Sequence, residues 1–298
     1  MAQPFRSVRR LMALGSEHVA VDESNEDVEV EPMKLVRFVS ADGVARAGEQ
    51  VDATTARPIE GDLFGEYRVA SATLAITRLL APVVPRNILC IGLNYRKHAE
   101  ESGMKPPEYP VLFIKSSGAL QDPGAPICIP KVEPEEVDYE CELAVVIGKA
   151  AKNVRREDAL RHVLGYTCAN DVSGRDWQIR KGGSQWNRGK SFDTFCPLGP
   201  CLVTTDEIPD PNALGIRTVL NGNVMQDSTT SDMIFDVPAL IAFLSQGTTL
   251  PPGTVILTGT PQGVGFARKP PVFLKHGDTV TVEIEGIGRL TNPVVAES

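Results

Sequence analysis

The chain has 298 residues, 42% hydrophobic and 23% charged, so it can bury a large core without disulfides or a structural metal. Disorder over most of its length is excluded. A net charge of −8 argues against general nucleic-acid binding, which requires a basic face, but it permits an anionic small substrate at a locally positive site.

Residues 1–16 carry Arg6, Arg9 and Arg10 and no acid, whereas residues 17–31 carry seven acids and no lysine or arginine. Residues 1–32 are therefore expected to be a flexible N-terminal segment or a presequence. The first reading places the protein in the cytoplasm, the second in the mitochondrial matrix. Folded structure is expected from Met33, where Met33-Lys-Leu-Val-Arg-Phe-Val alternates as a strand does. Residues 33–84 read as a small β-containing domain with turns at Ala41-Asp-Gly and Glu60-Gly-Asp, and Pro82 and Pro85 bracket a joint.

From 85 to 298 the sequence reads as one catalytic domain. Short apolar runs at 87–93, 111–115, 139–147, 201–204, 216–220, 254–259 and 279–285 predict strands. Helical spacing is clearest at Arg155–Val163 and Val237–Leu244. The fold class is α+β, mainly β, built on irregular or rolled sheets. No apolar run approaches the length of a membrane span, so a soluble protein with no membrane partner is expected. The six cysteines and four histidines show no zinc-ligand spacing, and buried, reduced thiols are expected.

The segment Asp138-Tyr-Glu-Cys-Glu-Leu-Ala-Val-Val-Ile-Gly148 is the most informative. On a strand, Asp138, Glu140 and Glu142 share a face and Tyr139, Cys141, Leu143 and Val145 the other. The α-carbons of Glu140 and Glu142 would stand ~6.5 Å apart. An exposed polar edge is the competing structural reading. The apolar Ala144–Ile147 continuation instead carries the strand into a core, where adjacent carboxylates need a compensating cation. Oxygen ligands suit Mg²⁺, Mn²⁺ or Ca²⁺. Asp171 offers a third carboxylate at the abrupt end of an apolar run, with an N-cap or turn role as its alternative. Asp176 is expected to pair with Arg175 or a remote base.

In Gly92-Leu-Asn-Tyr-Arg-Lys-His98-Ala-Glu-Glu101-Ser-Gly103, His98 and Glu101 fall three apart on a short helix ended by glycine. The carboxylate can orient the imidazole as a general base, or both can be solvated surface groups. The following Lys105-Pro-Pro-Glu-Tyr-Pro110 suits a lid. Two further segments suit an anion: Arg188-Gly-Lys190, and the glycine-rich Leu257-Thr-Gly259-Thr260-Pro-Gln-Gly263-Val-Gly265, whose N–H groups and Thr260 hydroxyl can meet a carboxylate. The latter is not a P-loop, and an ordinary tight turn is its alternative.

Taken in order, Gly-Leu-Asn-Tyr-x-x-His98, Glu140-x-Glu142-Leu, Asn-Asp171-x-Ser-x-Arg-Asp-x-Gln178, Lys190-x-Phe-Asp-Thr-x-x-Pro-x-Gly-Pro and Leu-Thr-Gly259-Thr260-Pro-x-Gly-Val-Gly resemble the fumarylacetoacetate hydrolase superfamily. The stretches around Asp-Trp-Gln178, Gln-Trp-x-x-Gly-Lys190 and Arg-Lys-Pro-Pro-Val-Phe-Leu-Lys275 are similar to a eukaryotic subgroup described as mitochondrial oxaloacetate tautomerases. The resemblance spans about Pro85 to Val295. It implies a mixed β-sandwich roll, usually in a homodimer, around one Mg²⁺ or Mn²⁺ held by Glu140, Glu142 and Asp171. It implies further that Lys190, Gln178, Gly259 and Thr260 contact substrate and that His98 with Glu101 activates water. The additional aspartate ligand of true fumarylacetoacetate hydrolases is not evident around Asn94-Tyr95, which favours smaller 2-oxo acids. The implied activity is keto–enol tautomerisation of oxaloacetate through a metal-stabilised enolate. C–C hydrolysis of acylpyruvate- or fumarylpyruvate-type acids, or decarboxylation of oxaloacetate, is the alternative.

Overall fold

The computed structural model describes residues 33–298. The expectations for residues 1–32 lie outside the described residues. The elements that frame the site are β1 (Lys34–Val39), β2 (Asn87–Gly92), α1 (Arg96–Glu101), β3 (Val111–Lys115), β4 (Cys141–Ile147), β5 (Val163–Asn170), α2 (Asn187–Lys190), β6 (Cys196–Thr204), β7 (Gly215–Leu220), β8 (Asn223–Thr229), α3 (Val237–Leu244), β9 (Thr254–Leu257), β10 (Thr279–Ile284) and β11 (Gly288–Ala296).

Two sheets carry the architecture. The larger runs from Tyr67–Val69 through Thr55–Gly61 and Ala45–Gln50 to β1, then β6, β5, β4, β9, β2 and β3. The smaller runs from Ile127–Ile129 through β11, β10 and β7 to β8. Strands of residues 33–84 join the larger sheet through β1, which pairs antiparallel with β6 at Lys34–Val203 and Leu35–Leu202. The fold is mainly β, as the short apolar runs predict, and its sheets are mixed, as the family resemblance implies: β9 and β2 run parallel, and their neighbours β4 and β3 run antiparallel to them.

The central strand β4 is buried on both faces, which explains its unbroken apolar run. Leu143, Val145 and Ile147 pack with Ile216, Val282, Ile284 and Leu290 between the sheets. Ala144 and Val146 enter a second cluster with Leu198, Leu202, Val255 and Leu257. Tyr139 belongs to that second cluster and not with Cys141, so the simple alternation expected from residue 138 slips before β4 begins. Asp138 sits instead on a separate short strand, Val137–Asp138, paired with Ser173–Gly174.

The helix expected over Arg155–Val163 is a 3-10 helix over Arg156–His162. The expected helix at Val237–Leu244 forms, capped by Asp236, whose Oδ1 accepts from Ala239 N at 2.9 Å. β3 ends the larger sheet, and α2 covers its free edge: Asn187 Oδ1 accepts from Ile114 N at 3.1 Å and Ser191 Oγ from Ser116 N at 3.0 Å. All six cysteines are free thiols, five of them buried. Among the described residues, no helix is long and apolar enough to cross a membrane.

Candidate active site

Glu142 lies on β4, Glu140 just before it, and Asp171 just beyond the end of the neighbouring β5. Pairing of Cys141 with Asn170 places the two strand ends side by side, and Asp171 N donates to Glu140 O at 2.9 Å. One oxygen from each of the three carboxylates lies within 4.8 Å of the others, and all three residues are buried. No nitrogen or sulfur donor joins the group, so its chemistry suits a hard divalent cation such as Mg²⁺, Mn²⁺ or Ca²⁺.

Two buried lysines face this cluster. Lys190, at the end of α2, donates to Glu140 Oε2 and to Asp171 Oδ2, each at 2.8 Å. Lys115, at the end of β3, pairs with Asp171 Oδ1 and donates to Val172 O at 3.0 Å. Lys115 carries no motif signal, only its position as the single charge closing the apolar run Val111–Ile114. Arg175 completes the positive side, with Nη1 2.7 Å from Glu140 Oε1 and Nη2 2.7 Å from Asp138 Oδ2. Arg175 therefore does not pair with Asp176, which binds Arg180 and Lys181. Asp138 turns away from the three-acid cluster to Arg175 and to the N–H groups of Gly265 and Phe266 at 2.8 and 2.9 Å.

These charges polarise the acids unequally. Burial opposes ionisation of Glu140, but Lys190 and Arg175 outweigh it and hold its carboxyl at about 2. Glu142 touches neither lysine: burial, then Asp171 and Glu140, push it well above the ordinary carboxylate range, against the opposing charge of Lys190 and a Gly259 N–H bond of 2.7 Å. Lys190 is raised, because Asp171 and Glu140 outweigh its desolvation. With Glu142 ionised, three carboxylates, Lys115, Lys190 and a divalent ion would sum to +1, which suits an anionic ligand.

α1 stands over the cluster. Its His98 Nδ1 lies 2.7 Å from Glu101 Oε1. Glu101 also accepts from Gly263 N, at 3.1 and 3.0 Å, so it ties the helix to the glycine-rich turn. Asn94, fully buried ahead of α1, donates to Thr258 O at 2.7 Å and Phe235 O at 2.9 Å. Gly259 permits this approach: its φ is +99°, and a Cβ there would lie 2.7 Å from the Asn94 Cβ. Gln178 does not touch the acids. Its Oε1 accepts from Arg175 Nη1 at 2.8 Å, one side chain away. Thr260 Oγ1 donates to Cys141 O at 3.0 Å and accepts from Gln226 Nε2 at 2.8 Å, so its hydroxyl hydrogen is committed to β4.

The model of the fumarylacetoacetate (FAA) hydrolase C-terminal family matches residues 87–295. The chain belongs to the fumarylacetoacetate hydrolase family. Over 218 residues it is 56% identical to "Oxaloacetate tautomerase fahd2, mitochondrial" of Xenopus laevis, covering 73% of this chain and 68% of that one. Over 217 residues it is 51% identical to "Oxaloacetate tautomerase FAHD2A, mitochondrial" of Homo sapiens, covering 72% of this chain and 69% of that one. Among solved structures it is similar to 2-hydroxyhepta-2,4-diene-1,7-dioate isomerase from Mycobacterium marinum, at 41% identity and a TM-score of 0.77, over 89% of this chain and 99% of that one. It is likewise similar to fumarylacetoacetate hydrolase from Exiguobacterium antarcticum, at 39% identity and a TM-score of 0.79, over 89% of this chain and 100% of that one. The chain is thus an enzyme of a family whose named members include tautomerases, isomerases and hydrolases.

Proposed function

We propose that the chain is a Mg²⁺- or Mn²⁺-dependent oxaloacetate keto–enol tautomerase. The observation that carries this reading is the buried Glu140–Glu142–Asp171 cluster facing Lys115 and Lys190, in a chain related to oxaloacetate tautomerases. Glu140, Glu142 and Asp171 would hold the cation. When bound, that ion supplies Lewis-acid stabilisation of negative charge developing on a 2-oxo acid. Lys115 and Lys190 balance the charge of an arriving dianion, and Gly259, Thr260 and Gln178 border the space it enters. His98, oriented through Nδ1 by Glu101, presents Nε2 as the base that takes a proton from carbon or oxygen and returns it to the other. Glu101 remains fixed by Gly263 N throughout.

A second reading, C–C hydrolysis of an acylpyruvate or fumarylpyruvate, draws on the same His98–Glu101 bond, since a carboxylate-backed imidazole also activates water. Decarboxylation of oxaloacetate requires the same charge stabilisation. Residues 33–84 and 85–298 are proposed as an N-terminal and a catalytic domain, the assembly as a homodimer. The location proposed is the mitochondrion, on the names of the relatives. The test is spectroscopic decay of enol-oxaloacetate with Mg²⁺, beside loss of diketone absorbance from 2,4-dioxo acids. An unchanged enol decay at protein concentrations that bind oxalate removes the tautomerase reading, and turnover confined to 2,4-dioxo acids installs the hydrolase.

A further inference from the structure

Gln226 is the buried position of β8, in the smaller sheet and far in sequence from every acid of the cluster. Its side-chain amide reaches four partners in two different parts of the site. Oε1 accepts from Cys141 N at 2.9 Å and from Thr218 Oγ1 at 2.7 Å. Nε2 donates to Thr260 Oγ1 at 2.8 Å and to Pro261 O at 2.9 Å. The orientation is dictated by the partners, because Cys141 N can only donate and Pro261 O can only accept.

Both ends of this bridge matter. Cys141 N belongs to the peptide between Glu140 and Glu142, where β4 has run past its last pair with β9, at Ala144–Leu257. Thr260 and Pro261 belong to the turn that also sends Gly259 N to Glu142 and Gly263 N to Glu101. Thr260 Oγ1 closes the loop by donating to Cys141 O at 3.0 Å. One amide therefore sets the distance between the acid-bearing backbone and the turn that borders the substrate space.

We propose that Gln226 is a positioning residue for the reaction, acting through Thr260 and the Glu140–Cys141 peptide without touching substrate. The inference rests on the proposed 2-oxo acid reading and assigns a residue that no motif of that reading contains. A carboxylate in place of the amide separates the two halves of the bridge. Gln226→Glu keeps an acceptor for Cys141 N and Thr218 but turns an oxygen toward Pro261 O, so the acids hold their place while the turn loosens.

The experiment compares wild type with Gln226→Glu by calorimetric titration with Mg²⁺, by titration of the Mg²⁺ form with oxalate, and by enol-oxaloacetate kinetics. The expected result is a Mg²⁺ Kd within about threefold of wild type, an oxalate Kd raised at least about tenfold, and kcat/KM lowered at least about thirtyfold. A kcat/KM within about threefold of wild type overturns the proposal, as does parallel loss of Mg²⁺ and oxalate binding, which marks a merely structural role. Should Gln226→Glu not fold, Thr218→Val frees the amide from the far side; it should weaken oxalate about threefold or more with Mg²⁺ binding unchanged, and wild-type oxalate affinity overturns the proposal. If wild type shows no tautomerisation, the functional reading fails, while the Mg²⁺ and oxalate titrations still decide the role of Gln226.

Discussion

Glu142→Gln separates metal binding from folding. In the metal-free protein Glu142 is held protonated above its ordinary value of 4.5 by burial, then by Asp171 and Glu140. Below pH 4.5 the folded and unfolded chains both hold this proton, and stability is unaffected. Between that value and the raised folded one, only the folded chain holds it, and stability falls by about 1.4 kcal/mol per pH unit as pH rises. Above pH 4.5 the carboxyl therefore costs the metal-free fold stability that the amide does not. The amide oxygen still accepts from Gly259 N. Metal-free Glu142→Gln should melt above wild type at pH 7, with the gap closing toward pH 4.5.

Mg²⁺ reverses the comparison. At about 100 times Kd it stabilises wild type by about 2.7 kcal/mol, whereas the variant, with a neutral ligand, should bind at least about 100-fold more weakly and gain little. Wild type must also shed the Glu142 proton on binding, so its calorimetric heat should depend on the ionisation enthalpy of the buffer. Thermal melts with and without EDTA and Mg²⁺ titrations in two buffers measure both effects. Equal Mg²⁺ affinity in the variant, or a metal-free variant that melts no higher than wild type, refutes the assignment of Glu142 to the cation and the charge argument behind it.

Lys115→Met should lower the metal-free melting temperature by breaking a buried pair, an effect of about 3 kcal/mol, and tighten Mg²⁺ about tenfold by removing a competing cation, read by melts and calorimetry. His98→Ala should lower kcat about 100- to 1,000-fold with Mg²⁺ and oxalate affinities unchanged; loss of oxalate binding would make His98 a ligand contact and not a base. Gly92→Ala should displace Trp186, whose Cζ3 would lie 2.2 Å from the new Cβ, destabilising the fold by about 1–3 kcal/mol. A tryptophan emission maximum unchanged from wild type would contradict that contact.

The acids were legible because two local signals coincide: an E-x-E entering a run apolar on both faces, and an aspartate at an abrupt strand end. Their meeting depends only on neighbouring strands, β4 and β5, pairing in register. His98 and Glu101 were legible because a helix places residues three apart side by side. Lys115 was not, since it meets Asp171 across 56 residues and through strand order, which has no local signature. Gln226 lies in Asn223–Thr229, whose polar composition reads as an exposed strand. Arg175 and Asp138 were misjudged for one reason: an irregular backbone before β4 turns Asp138 away from Glu142, and the guanidinium follows it. Pairing of β1 with β6 likewise depends on long-range order that alternation within Lys34–Val39 does not encode.

The cover that α2 places on β3 links chemical competence to colloidal fate. Asn187 occupies one backbone amide of an end strand, and Ser191, just past the helix, occupies the next one beyond the strand; that strand also exposes Leu112 and Ile114, the features that invite strand-on-strand association between molecules. The same short helix carries Lys190 to Glu140 and Asp171. Lifting it disarms the charge cluster and bares a sticky edge in one movement. On slow heating, light scattering should therefore rise at the temperature where turnover collapses, and an anion that grips Lys190 should delay both together.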